Sequence, residues 1–262
     1  MGEFIIKPKV TQNPRMYDDA FLWKDSSADF DLYIMVSHRL ALYCWLQCEK
    51  ILEKEHSLIF IDQHADAREW FDDEAPKLEK ILEDFKSLSD YKIYNSFQCV
   101  NRNKNMDGRE TRTCVTWGNF LYLTVKAKLF KHYYLYSPAP SWDIDSDMKS
   151  EPKIFDLYQK LEDINSLDLN IKKSNNKCIV DIDLDFFDNV DKSDDILENI
   201  FETIKKNKAS ISCVTISLNL TPDYNEESNE EWDKRQKQLE KIKEIFGIDI
   251  PIPIVKSGEW DN

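Results

Sequence analysis

Two apolar, strand-like runs in this chain end in acidic residues spaced by two: "LIFIDQHADAREW" (Leu58 to Trp70) and "CIVDIDLDFFD" (Cys178 to Asp188). Side chains alternate along an extended backbone, so Asp62, His64 and Asp66 project to one side just past "LIFI". Asp181, Asp183 and Asp185 do the same after "CIV". Packing such clusters together without compensation costs several kcal/mol per unpaired ion, and a bound cation removes that cost. The pattern therefore demands a fold in which strand ends converge. Open parallel α/β sheets provide such a place beyond the carboxyl ends of their strands.

The remaining chain reads as a sheet of that kind. Residues 32–36, "LYIMV", predict a buried strand, and Ser37 is expected to cap a helix through "HRLALYCWLQCEKILEKE". A strand over 57–62 follows, and strand, helix and strand within so short a span suggest a right-handed parallel crossover. Helices are expected over 74–88 and 116–130, the second with Gly118 near its start, then a strand over 132–137 ended by Pro138 and Pro140. "IFDLYQKLEDI" predicts a helix, "CIVDIDLDFF" a strand and "SDDILENIFETIKKN" a helix opened by Ser193. "ISCVTISLNL" is too apolar to face water on either side. A last helix starts at Ser228, with Glu231 completing a capping box, and stops before Gly247. The whole is expected to be one α/β domain over 1–262, a three-layer arrangement with a mostly parallel sheet flanked by helices.

Charge narrows the partners. A net charge of −14 and a pI near 4.8 argue against nucleic acid and against an anionic membrane surface, both of which need clustered Lys and Arg. No apolar run is long enough to span a bilayer, and "MGEFIIKPKV" lacks the apolar core of a signal peptide, so a soluble, cytoplasmic protein is expected. The six cysteines form no CxxC pair and most sit in apolar runs, which predicts reduced core thiols, although Cys44 and Cys48 share a helix face.

Hard oxygen donors with one or two imidazoles suit Mn²⁺, or a similar hard to borderline divalent ion, better than they suit the zinc of a thiolate site. Four or more carboxylates suggest two metals, which can activate a water for hydrolysis. Either motif alone reads as caps and loops of an acidic surface; two of them, each ending an apolar strand of one sheet, favour the metal. His38 follows the strand "LYIMV" and joins the ligands if the three strands are neighbours. His56 and His132 precede strands, at the wrong ends for this site. "SWDIDSDM" spaces Asp143, Asp145 and Asp147 by two as well, but it follows prolines and lacks an EF-hand glycine, so a solvated loop is expected there.

His38, "DQHAD" and "DIDLDFF", in that order, resemble the "GGDHS", "DAHxD" and "DxDxxDP" motifs of the arginase and agmatinase (ureohydrolase) superfamily, to which metal-dependent deacetylases are distantly related. The chain is similar to a divergent branch that includes peptide arginases, which convert arginine in a precursor peptide to ornithine. "WGNFLYLTVKAKLF" and "TISLNLTPDY" extend the likeness, which covers most of residues 30–225. The resemblance implies an arginase/deacetylase-like fold and two Mn²⁺ ions that together activate water. It makes His38 and Asp66 ligands of one ion and His64 a ligand of the other, with Asp62 serving one or bridging both. Two acids of the last cluster ligate: Asp183 and Asp185, with Asp181 behind them, or in the other register Asp181 and Asp183.

The departures concern substrate. The shuttle histidine of the family's "GNLHG" is replaced in "GNFLY" by Leu121 or Tyr122, and the guanidinium-binding glutamate of "EVNP" by Asn219. Asp223, after Pro222, supplies a replacement acid, and Arg68 and Glu69 lie in the turn after Asp66, where they contact substrate or each other. The expected activity is hydrolysis of a C–N bond in a small guanidino compound or an arginine-containing peptide. The alternatives are a deacetylase-like amide or a phosphoester hydrolase, and an inactive scaffold that binds a partner. Superfamily members often assemble, so a homo-oligomer is compatible with the likeness. The acidic segment "YNEESNEEWDKRQKQLEKIKEIF" reads as a solvated helix or as a docking surface centred on Trp232.

Overall fold

The computed structural model describes residues 2–6, 22–26, 29–49, 51–53, 55–64, 85–90, 92, 94, 98–101, 110–113, 115, 119–137, 163–174, 178–188, 190, 192–219 and 226–250. Nine strands fall among them: β1 (Glu3–Ile6), β2 (Leu22–Asp25), β3 (Asp31–Met35), β4 (Ser57–Ile61), β5 (Gln98–Asn101), β6 (Glu110–Thr113), β7 (His132–Tyr136), β8 (Cys178–Asp183) and β9 (Ile211–Ser217). The helices are α1 (Leu40–Trp45), α2 (Phe120–Lys126), α3 (Leu167–Lys173), α4 (Ser193–Lys206) and α5 (Glu226–Phe246).

Seven strands form one sheet in the order β1-β2-β3-β9-β8-β4-β7. From β3 to β7 all pairings are parallel, whereas β1 and β2 add an antiparallel edge. β5 and β6 pair separately. Strands β4 and β8 are buried at every position, as expected of Ile- and Val-rich runs covered on both faces. Tyr33, Met35, Leu58, Phe60, Ile179 and Cys213 share one apolar core with α1 and α2. Their alternating neighbours, among them Ile34, Ile59, Ile61, Val180, Ile182 and Ile216, share another with α3, α4 and α5. Helices thus cover both faces of a mostly parallel sheet.

Register decides where the acids go. Asp181 lies beside Thr215 and Asp183 beside Ser217, Met35 is also beside Ser217, and Ile61 is beside Ile182. Asp62, one residue past Ile61, therefore reaches the level of Asp183. By alternation, Asp62, Asp181 and Asp183 all turn toward the face covered by α1 and α2.

Several boundaries differ from the sequence reading. β3 and β4 are parallel but not neighbours, because β9 and β8 lie between them. α1 starts at Leu40; the Ser37 backbone carbonyl, not a side-chain cap, accepts from Leu40 N at 3.1 Å. Past Trp45 the backbone tightens, with Gln47 and Cys48 donating three residues back, and a short 3₁₀ turn over Ile51–Glu53 replaces the rest of the long helix. α2 is confined to Phe120–Lys126, since Lys128 takes a left-handed φ of 51°. β8 ends at Asp183 and passes into a 3₁₀ turn over Leu184–Asp188. α5 begins at Glu226, ahead of the expected cap at Ser228, and Trp232 packs against the core under the helix, so it is not an open docking residue. Strands β1, β2, β5 and β6, of four residues each, are too short to carry a period that can be read in advance. The expected helices over 74–88, except for a 3₁₀ turn at Phe85–Ser89, and over 154–162, with the Asp143–Asp147 loop and Gly118, lie outside the described residues.

Cys44, Cys48, Cys178 and Cys213 are buried free thiols, and Cys44 and Cys48 form no bridge. No helix among the described residues is long and apolar enough to cross a membrane.

Candidate metal centre

His38 is the hub. Three residues past β3 it is 2% exposed, stacked on Phe60 with ring centroids 5.5 Å apart and tilted against Phe120 at 4.7 Å. Its Nε2 meets Asp181 Oδ2 at 2.6 Å, and its Nδ1 faces Asp62 Oδ2 at 3.2 Å and Asp183 Oδ2 at 3.1 Å. Burial opposes charge on this ring, but Asp181 and Asp183 outweigh it and hold the imidazole pKa well above its ordinary value. An ion at Nδ1 would replace a proton there.

Asp181 has no spare oxygen. Its Oδ2 accepts from His38 and its Oδ1 from the Thr215 hydroxyl, which in turn accepts from Trp45 Nε1 at 3.0 Å. An ionised carboxylate can only accept, so it fixes the hydrogen on Nε2 and leaves Nδ1 to face the other two acids.

His64 forms the second focus. Its backbone N donates to Asp62 Oδ1 at 2.7 Å, which curls the chain just past β4 and swings the ring toward Asp185 Oδ2 at 3.0 Å. Ser137, at the end of β7, donates to Gln63 O at 3.0 Å and steadies this turn. Asp185 N donates to Asp183 Oδ1 at 3.2 Å, a matching turn past β8. Asn219 Nδ2 donates to Asp185 Oδ2 at 2.6 Å. Asn219 has a φ of 42°, a left-handed conformation that asparagine tolerates better than glutamate does.

Two groups of donors result, His38–Asp62–Asp183 and Asp62–His64–Asp185, each with its ligand atoms within 4.8 Å of one another. They share Asp62. The first is wholly buried, while His64 leaves the second partly open, its side chain 43% exposed. Asp185 Oδ1 is buried and meets no hydrogen-bond partner among the described residues. A carboxylate oxygen sealed from water and from donors is the environment a cation satisfies, and each of the two donor groups could hold a metal ion. No family model, no curated protein and no solved structure matches the chain.

Of the residues singled out from the sequence, the structure brings together His38, Asp62, His64, Asp181, Asp183, Asp185 and Asn219. Asp66, Arg68, Glu69 and Asp223 lie outside the described residues. Leu121 and Tyr122 are buried in α2. His56 is buried and His132 exposed, both at the opposite end of the sheet. Thr215, Trp45 and Arg235 were not anticipated. A threonine in a strand and an arginine in a charged helix carry no mark of special duty.

Proposed function

We propose that the chain is a binuclear-metal hydrolase of the arginase type, with an arginase/deacetylase-like fold, that cleaves a C–N bond in a guanidino group. The observation that carries this reading is the pair of donor groups hinged on Asp62. His38, Asp62 and Asp183 hold one Mn²⁺, with Asp66 completing that set, and Asp62, His64 and Asp185 hold the other. Bound there, two divalent ions supply Lewis acidity that brings water to reactivity near neutral pH.

The chain's own groups do the rest. Asp181 keeps the His38 ring turned so that Nδ1 faces Asp62 and Asp183. Asn219 spends its amide N–H on Asp185, which leaves its carbonyl oxygen as an acceptor for a substrate N–H beside the second focus. Glu69 and Asp223 orient the cationic substrate, a small guanidino compound or an arginine within a peptide. The net charge of −14 draws such cations in. Cytoplasmic placement and assembly of like chains belong to the same reading. A second reading, hydrolysis of an amide, is favoured by one feature: Asn219 is neutral where a guanidinium would best meet a carboxylate.

Elemental analysis after Mn²⁺ reconstitution tests the centre. About two ions per chain are expected in the wild type, and fewer in Asp183→Ala and in His64→Ala, each of which breaks one group. A wild type that binds none overturns the proposal. A panel of guanidino, peptidyl-arginine and acyl-amide substrates then separates the two reactions, and full metal with no turnover on any of them leaves a binding scaffold.

A further inference from the structure

Arg235 lies midway along α5, yet it is 0% exposed, and its guanidinium joins the two strand ends that feed the second focus. Nε donates to Leu218 O at 2.8 Å, just past β9 and one residue before Asn219. Nη1 donates to Leu184 O at 3.1 Å, between Asp183 and Asp185, and to Asp188 Oδ1 at 2.8 Å and Gln238 Oε1 at 3.1 Å. Nη2 donates to Asp188 Oδ2 at 2.7 Å, which makes the pair bidentate, and Glu231 Oε1 stands 3.7 Å away. Lys234 reaches Asp188 from the solvent side at 2.7 Å.

A buried guanidinium is expensive to desolvate, and residues of like volume would fill the space at less cost. Its fork geometry does what an apolar side chain cannot: one rigid plane holds two carbonyls and a carboxylate at fixed mutual positions. Those carbonyls belong to the residues directly before Asp185 and Asn219, which meet each other at 2.6 Å. Asp183, on the other side of Leu184, is fixed by its pairing in β8 opposite Ser217, and Asp62 and His38 are set by β4 and by the chain past β3, to which Arg235 makes no hydrogen bond.

We propose that Arg235 is a positioning residue for one ion only, the one held by Asp62, His64 and Asp185, and that α5 thereby tunes that half of the centre apart from the other. The inference rests on the two-metal reading of that centre.

Arg235→Lys and Asp188→Asn test it, the first keeping the charge and the second most of the volume. Both are reconstituted as full-length protein with Mn²⁺ and followed by equilibrium dialysis with elemental analysis, and by electron paramagnetic resonance, which separates a coupled Mn²⁺ pair from a lone ion. In both variants one ion should bind as in the wild type and the other about 10- to 100-fold more weakly, the usual effect of losing an outer partner of a metal ligand. The spectrum should pass from coupled to isolated at limiting Mn²⁺. Lysine should not rescue, because a point charge cannot serve both carbonyls and Asp188. Two ions bound with wild-type affinity in both variants would overturn the inference and leave the metal centre standing. Equal weakening of both ions in protein with a wild-type circular dichroism spectrum would also overturn it, by making Arg235 merely structural. A wild type that binds no Mn²⁺ fails the metal reading itself and takes this inference with it. Should the lysine variant not fold, Asp188→Asn decides.

Discussion

At Thr215 one hydroxyl serves two buried neighbours, donating to Asp181 and accepting from Trp45. Thr215→Val keeps the shape but leaves an indole N–H and a carboxylate oxygen unsatisfied at a site with no water access, which should destabilise the fold by about 1–3 kcal/mol. Urea unfolding checks it through a lowered midpoint at unchanged slope. The same residue shows what a sequence reveals and what it hides. Asp62, His64, Asp183 and Asp185 stand out because an ionisable group ending an apolar run contradicts the usual rule of burial. Thr215 obeys every rule for a strand residue, so only its register beside Asp181 discloses its duty.

Helices and strands differ in how openly they announce themselves. The parallel strands β3, β4, β8 and β9 are legible in the sequence as apolar runs, because covering both faces leaves room for little else. α1 is overread: "ALYCWLQCEKILEKE" continues with helical spacing, but the period cannot tell a helix from a tightened turn that keeps Cys48 and Ile51 in the core. α3 is missed, its short amphipathic run being overshadowed by the stronger pattern at 154–164. Its Asp168 accepts from Lys172 and, at 2.8 Å, from Asn207 just past α4, and these bonds hold its carboxyl at about 2. The folded value lies below the unfolded one of about 3.9, so the stabilisation is complete above roughly pH 4 and fades as pH falls toward 2. Asp168→Asn should accordingly lower stability near pH 6, by less than about 1 kcal/mol because the carboxylate is exposed to solvent, and should have a much smaller effect near pH 2. Urea titrations at the two pH values make the comparison.

Among the described residues, the buried acids and histidine of the candidate centre gather at one end of the sheet, while its interior holds apolar side chains and thiols. Cys44, Cys48, Cys178 and Cys213 are buried, and burial pushes the Cys178 thiol up to about 12. A thiol reagent added to native protein should therefore titrate at most two of the six cysteines, and all six after denaturation. A native count of three or more would mean the core opens. The strand order carries a further consequence for how the molecule comes into being. β9 sits between β3 and β8, yet it is the last of these strands to leave a ribosome. Without it the sheet has no strand to join β1-β2-β3 to β8-β4-β7, and each group is left with an unpaired edge, the condition under which strands recruit wrong partners. Only when residues 211–217 fill that place do His38, past β3, and Asp181, on β8, come within reach of each other. A chain released before β9 is made would thus expose unpaired strand edges to degradation instead of a closed sheet.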